Sequence, residues 1–204
     1  MEFIEKSIRR ILVRKPFILL GFALAYFFIH ATTASLKLEF WRDEAWTLMA
    51  VDTPPFYKNW MDYYREHIAT TGAHPPLFYA ITLIPARLIP NNPRIWRLMC
   101  VISSTLGIIL LYKLAKQWKL RKAGLMAAIL LSFNPQMIVI GSELRSYSFL
   151  FLIAILMALQ IKPLIEKKIF AKSAILLFTF SLIGLFFHYI FIFLLLAFMI
   201  FFAI

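Results

Sequence analysis

Long apolar runs separated by short polar blocks organise this chain. The runs cover residues 17–36, 95–115, 123–140, 147–161, 170–187 and 189–204. A helix rises about 1.5 Å per residue, so about 20 apolar residues cross a hydrocarbon layer roughly 30 Å thick. The pattern therefore predicts an all-α, polytopic bundle of about six membrane spans. The fourth and sixth spans are short, and a tight turn near His188 joins the last two.

One apolar stretch breaks the rhythm. Residues 75–89 are too few for an easy crossing and include Arg87, which suits a buried or re-entrant helix better than a span. Before it, residues 37–75 form a polar loop with internal pattern. Trp41 to about Val51 reads as a short helix with Asp43 in its first turn. Pro54-Pro55 can open a second helix. Phe56, Trp60, Tyr63, Tyr64, His67 and Ile68 then recur at helical spacing, up to Gly72. Such an aromatic, amphipathic helix is expected to lie in the membrane interface. The reading is one membrane domain over residues 1–204, with residues 37–90 forming a single loop on one membrane face.

Composition supports the membrane reading. Hydrophobic residues make up 62% of the 204 and mean hydropathy is +0.79, against roughly 45–50% apolar residues in soluble domains. The net charge of +12 does not point to nucleic acid, because the basic residues sit in blocks between apolar runs. Lys6, Arg9, Arg10, Arg14 and Lys15 form the first block. Lys113, Lys116, Lys119, Arg121 and Lys122 form the second, and Lys162, Lys167, Lys168 and Lys172 the third. If residues 75–89 do not cross, all three blocks, 14 of the 22 Lys and Arg residues, share one face. The positive-inside rule makes that face cytoplasmic. The expected topology has a cytoplasmic N-terminus, in a plasma (inner) membrane, with the 37–90 loop outside. Residues 31–35, Ala-Thr-Thr-Ala-Ser, also look like a signal-peptide cleavage region. The later spans favour an uncleaved first helix. Cys100 is the single cysteine, so neither an intrachain disulfide nor a cysteine-based metal site is expected. The chain stops inside an apolar run, so a longer natural polypeptide or a fragment is expected.

With this topology the remaining polar residues gather at the outer face: Asp43, Glu44, His74, Arg94, Arg97, Glu143, Arg145, Tyr147 and His188. Ionisable groups at membrane depth are costly and usually serve a cavity or a site. Trp41-Arg42-Asp43-Glu44-Ala45-Trp46 carries two adjacent carboxylates. They suit acid–base chemistry, and equally a solvated helix start, where acids favour the N-terminal dipole. His74-Pro75-Pro76-Leu77 holds a histidine where the chain re-enters the membrane, able to donate to a phosphate, bind a metal or simply complete a turn. Glu143-Leu-Arg-Ser-Tyr147 offers an arginine suited to phosphate or carboxylate, or to headgroup anchoring. His188, at a helix turn, reads more readily as structural.

The order and spacing of these motifs resemble the GT-C membrane glycosyltransferases. The closest branch is that of the protein O-mannosyltransferases, which also includes the bacterial lipid A aminoarabinose transferases. The resemblance runs from about residue 10 to the end, and Asp43-Glu44 with His74-Pro75-Pro76 carries it most specifically. It implies inverting transfer of one sugar from a polyprenyl-phosphate donor to an acceptor at the outer membrane face. By the family pattern Asp43 is the general base, and Glu44 holds the acceptor or orients the site. His74 and Arg145 neutralise the leaving lipid phosphate. The resemblance makes Tyr147 a sugar or phosphate contact and Arg94 either the same or an anchor for its span, with Glu143 and His188 placed in the same binding group. Some relatives use a divalent metal, for which Asp43, Glu44 and His74 are the candidate ligands. Family members are usually more than twice as long as this chain. The resemblance leaves the acceptor (a glycan, lipid or protein) unspecified. The competing expectations are a transporter or flippase, with charges near mid-membrane, and a non-catalytic scaffold, with Asp43, His74 and Arg145 far apart.

Overall fold

The computed structural model describes residues 16–52, 75–90, 92–166 and 169–203. The aromatic helix expected after Pro55, and His74, lie outside the described residues. The described secondary structure is entirely helical: α1 (Pro16–Lys37), α2 (Arg42–Asp52), α3 (Leu77–Leu88), α4 (Pro93–Trp96), α5 (Leu98–Gln117), α6 (Arg121–Phe133), α7 (Pro135–Ser142), α8 (Tyr147–Ile165), α9 (Phe170–Phe187) and α10 (Phe191–Ala203).

Four of these units are long and apolar enough to cross a membrane: α1, the continuous run Pro93–Gln117, α8 and α9. A fifth is the α6–α7 pair, which bends by 67°. The expected span at 123–140 is therefore broken. The cause is local. Pro135 has no N–H to donate, and the Asn134 side chain accepts from the Met137 amide at 3.1 Å, restarting the helix as α7. The last apolar run forms a helix from Phe191 with 13 described residues. Among the described residues, four or five units are thus long and apolar enough to cross, consistent with the expected helical membrane bundle. Residues 75–89 do form a short helix, α3, interrupted by Pro85 near its end, with Arg87 exposed.

The helices are ordered end to end. Phe17 meets Tyr112 edge-on, so the start of α1 lies beside the end of α5. Gln117 donates to the Leu159 carbonyl at 3.1 Å, and Lys162 donates to the Gln117 carbonyl. Lys116 and Lys162 therefore lie at one end of the bundle, with the start of α1. At the other end, Ser103 Oγ donates to the Ser148 carbonyl at 3.2 Å, where parallel helices α5 and α8 begin. Small residues let these helices approach closely, as is usual where lipid supplies no hydrophobic drive between helices. Gly107, for example, leaves no room for a β-carbon against the Phe151 ring.

Helix α5 divides the core. Val101, Ile108 and Tyr112 pack with Leu20, Phe27 and Ala31 of α1 and with α6. Trp96 and Cys100 pack with Ile153 and Met157 of α8, with Phe78 of α3 and with Val51 of α2. Helices α2 and α3 thus close one end of the bundle, opposite the basic end.

Candidate active site

The site end is built around one buried ion pair. Glu44 has 0% and Arg97 1% of its side chain exposed. Arg97 Nε and Nη2 grip the two Glu44 oxygens at 2.8 and 2.7 Å. Its other three N–H groups donate to the carbonyls of Ser35, Leu38 and Glu39 at 2.8–3.0 Å. All five guanidinium donors are therefore used. One of the three carbonyls, that of Ser35, lies in the last turn of α1, where the helix leaves it unpaired, and the other two lie just past its end. The Phe40 ring lies 4.1 Å from the guanidinium carbon.

Glu44 is equally saturated. Besides Arg97, it accepts from the Trp41 amide at 3.0 Å, as an acid three residues into a helix commonly does. It also accepts from the Leu144 amide at 2.6 Å, a hundred residues along the chain. Thr47 adds a bond to the Leu144 carbonyl at 3.4 Å. One carboxylate thus ties α1, α2, α5 and the α7–α8 link together. Such a group is poorly placed to meet a substrate and well placed to hold its neighbour.

That neighbour is Asp43. On a helix, adjacent side chains diverge by about 100°, so burying Glu44 turns Asp43 outward. Its side chain is 57% exposed, and Oδ2 lies 2.9 Å from Arg145 Nη2. Arg145 Nη2 also donates to the Tyr147 hydroxyl at 3.1 Å, and the guanidinium sits 4.6 Å from the centre of that ring. Tyr147 in turn faces His188, with ring centres 5.7 Å apart. Four expected site residues thus form one row: Asp43, Arg145, Tyr147 and His188.

Glu143 borders the row, half-buried at the end of α7. Burial pushes its carboxyl above the usual range, against the pull of Arg145. A raised carboxyl is destabilising while charged. Its burden is full above the raised pKa and absent below the unfolded pKa, once the group is protonated. Glu143→Gln is therefore expected to raise the thermal midpoint slightly at pH 7. The gain should shrink as pH falls through the raised pKa, which melting curves from pH 4 to 8 would check.

Arg94 stands apart. It is exposed and donates to the Leu36 carbonyl at 3.2 Å, with no hydrogen bond or ion pair to Asp43 or Arg145. Two neighbours were given no role from the sequence, although Arg97 was among the polar residues placed at the outer face. Arg97 had a signal, an arginine beside Trp96 at the start of a long apolar run, but nothing local paired it with Glu44. Tyr79 of α3 is the other. It is buried, and its hydroxyl feels both Arg145 and Asp43. Burial raises it above the ordinary tyrosine range, Arg145 draws it down, and Asp43 adds to the rise. Its signal was its place five residues after His74 in an otherwise apolar helix. No three His, Cys, Asp or Glu side chains converge as metal ligands among the described residues.

No curated protein and no solved structure matches the chain. A family model described as dolichyl-phosphate-mannose-protein mannosyltransferase matches residues 73–204, well over half of it. That region holds Arg97, Arg145 and Tyr147, while Asp43 and Glu44 precede it. With four or five membrane-crossing helical units and a match of this extent, the chain is an integral membrane protein and belongs to the dolichyl-phosphate-mannose-protein mannosyltransferase family of glycosyltransferases.

Proposed function

We propose that this chain carries the base and phosphate side of an inverting glycosyltransferase. In this reading it moves a sugar from a polyprenyl-phosphate donor to an acceptor hydroxyl at the outer membrane face. The observation that carries the reading is the exposed Asp43 carboxylate held against Arg145 and Tyr147 at the end of an apolar bundle. A lipid carrier reaches such a site sideways from the bilayer, while the acceptor arrives from water.

The chemistry follows from the arrangement. Asp43 takes the proton of the acceptor hydroxyl as that oxygen bonds to the anomeric carbon. The bond from that carbon to the phosphate oxygen breaks on the opposite face, so the product has inverted configuration. The electron pair leaves with the polyprenyl phosphate, whose charge meets the Arg145 guanidinium. His74, which precedes Pro75 in the sequence, is assigned to the same phosphate. Tyr147 shelves Arg145 and contacts sugar or phosphate, with Glu143 and His188 on its flanks. Glu44 is assigned to orienting Asp43 through its bonds to Arg97 and Leu144. Of the three expected metal ligands, the Glu44 oxygens are already used, which leaves Asp43 and His74 for a divalent ion.

The position of the pair also bears on the alternatives. A transporter would place its charges near mid-membrane, commonly between repeats, whereas this pair sits at the bundle end. A passive scaffold has no need to hold Asp43 within 2.9 Å of Arg145.

The test is transfer from dolichyl- or undecaprenyl-phosphate mannose by membranes containing the protein, with the product anomer assigned by NMR. The expected product has inverted configuration. Retention, or transfer from a nucleotide sugar alone, would overturn the reading. Topology has its own check. Single cysteines at Asn92 and Lys119 are expected to react with an impermeant maleimide from opposite sides of the membrane. The Asn92 cysteine is expected to be the one that reacts from outside, and its labelling from the cytoplasmic side would place the site on the wrong face.

A further inference from the structure

Asp43 and Arg145 occupy one another, yet the reading above needs them apart. A carboxylate turned to a guanidinium is not presented to an acceptor hydroxyl, and a guanidinium turned to a carboxylate is not presented to a phosphate. The atoms involved make the conflict specific. An arginine grips a phosphate two-pronged through one of two edges, Nε with Nη2 or Nη1 with Nη2. Both edges use Nη2. The two hydrogens of that nitrogen are committed to Asp43 at 2.9 Å and to the Tyr147 hydroxyl at 3.1 Å. Among the described residues, Nε and Nη1 make no hydrogen bond or ion pair. A two-pronged phosphate must therefore displace one of these partners. Tyr147 sits two residues away and also lies beneath the guanidinium, at 4.6 Å. Among the described residues Asp43 holds by one contact, and it is 57% exposed, so water is ready to solvate it on release.

The backbone under Asp43 is fixed. Glu44, next in the chain, is locked by Arg97 and by the Trp41 and Leu144 amides. Released from Arg145, Asp43 stays in the site and changes only its side-chain partner.

We propose that the Asp43–Arg145 ion pair is a latch that the donor's phosphate opens, so that lipid donor binding precedes and unmasks the base. The latch rests on the glycosyltransferase reading and adds an order to it. A base masked until the donor is seated does not pair unproductively with acceptor or water. The closed latch also weakens donor binding, because only the open fraction of the protein is competent.

The test is a double-mutant cycle on binding, using the purified chain in detergent, undecaprenyl phosphate as probe and undecaprenol as the uncharged control. Asp43→Asn is expected to bind the phosphate about two- to fivefold more tightly than wild type, the range for opening a half-exposed ion pair. Asp43→Ser is expected to do the same, which guards against an effect peculiar to asparagine. In an Arg145→Gln background the Asp43→Asn change is expected to give no gain, because there is no latch to open. Equal affinity of wild type and Asp43→Asn, with phosphate preferred over alcohol, overturns the latch alone. So does the same gain in both backgrounds, which is simple charge repulsion. If wild type and Asp43→Asn both fail to prefer phosphate over alcohol, the latch falls together with the lipid-phosphate reading.

Discussion

Asp43→Asn is expected to lower sugar transfer by about 10²–10⁴-fold, the usual contribution of a positioned general base. Asparagine keeps the shape of the side chain and removes its ability to take a proton. The change is also gentle on the fold. The residue is exposed, and its ion pair with Arg145 lies in the half-exposed range, where such pairs contribute at most about 1 kcal/mol. Initial rates of transfer, with a thermal midpoint for each protein, separate the two effects. The expected result is a rate collapse at a nearly unchanged midpoint. A rate within a fewfold of wild type would remove Asp43 from the reaction.

Arg97→Met is expected to destabilise the protein by about 3–5 kcal/mol, the scale for breaking a buried ion pair by removing one partner. Glu44 would be left charged at 0% exposure. The carbonyls of Ser35, Leu38 and Glu39 would lose their donors as well. Glu44→Leu is expected to be similarly damaging, stranding Arg97 and the Leu144 amide. The double variant, Arg97→Met with Glu44→Leu, is expected to recover part of the loss, since no unpaired charge remains. Recovery stays incomplete because three carbonyls and two amides still lack partners. Denaturant titration in detergent micelles is the measurement. A single variant costing under 1 kcal/mol would show that this junction is not what holds the site end together. Transfer should fall in both single variants, because Asp43 is placed by Glu44.

The two variants probe opposite sides of one dipeptide, and only the fold tells them apart. As a sequence, Asp43-Glu44 is two equal carboxylates at a helix start. Helical geometry says they diverge, but not which one turns inward. That choice is made by Arg97, 53 residues later, and by the Leu144 amide, a hundred residues later. Neither contact leaves a local trace.

Other elements divide in the same way. The long apolar runs were legible because a membrane helix must satisfy its backbone internally and present apolar side chains to lipid. Each residue contributes independently to that pattern. The break at Asn134-Pro135 was legible as a proline but not as a 67° bend, because the angle depends on how α6 and α7 pack against α1 and α5. The shortness of α3 was readable from its length and from Arg87. That its buried Tyr79 lies within electrostatic reach of Asp43 and Arg145 was not, since the helix could pack with another face inward.

The amino-acid sequence alone therefore determined the membrane class of this protein, its helical composition and a roster of polar residues at one end. These properties follow from composition and short-range periodicity. Tertiary structure decided which residues on that roster are partners. It buried Glu44 with Arg97, exposed Asp43 to Arg145 and left Arg94 on the surface. Ion pairs act over a few ångströms in space with no regard for distance along the chain, so only the packed helices could settle them.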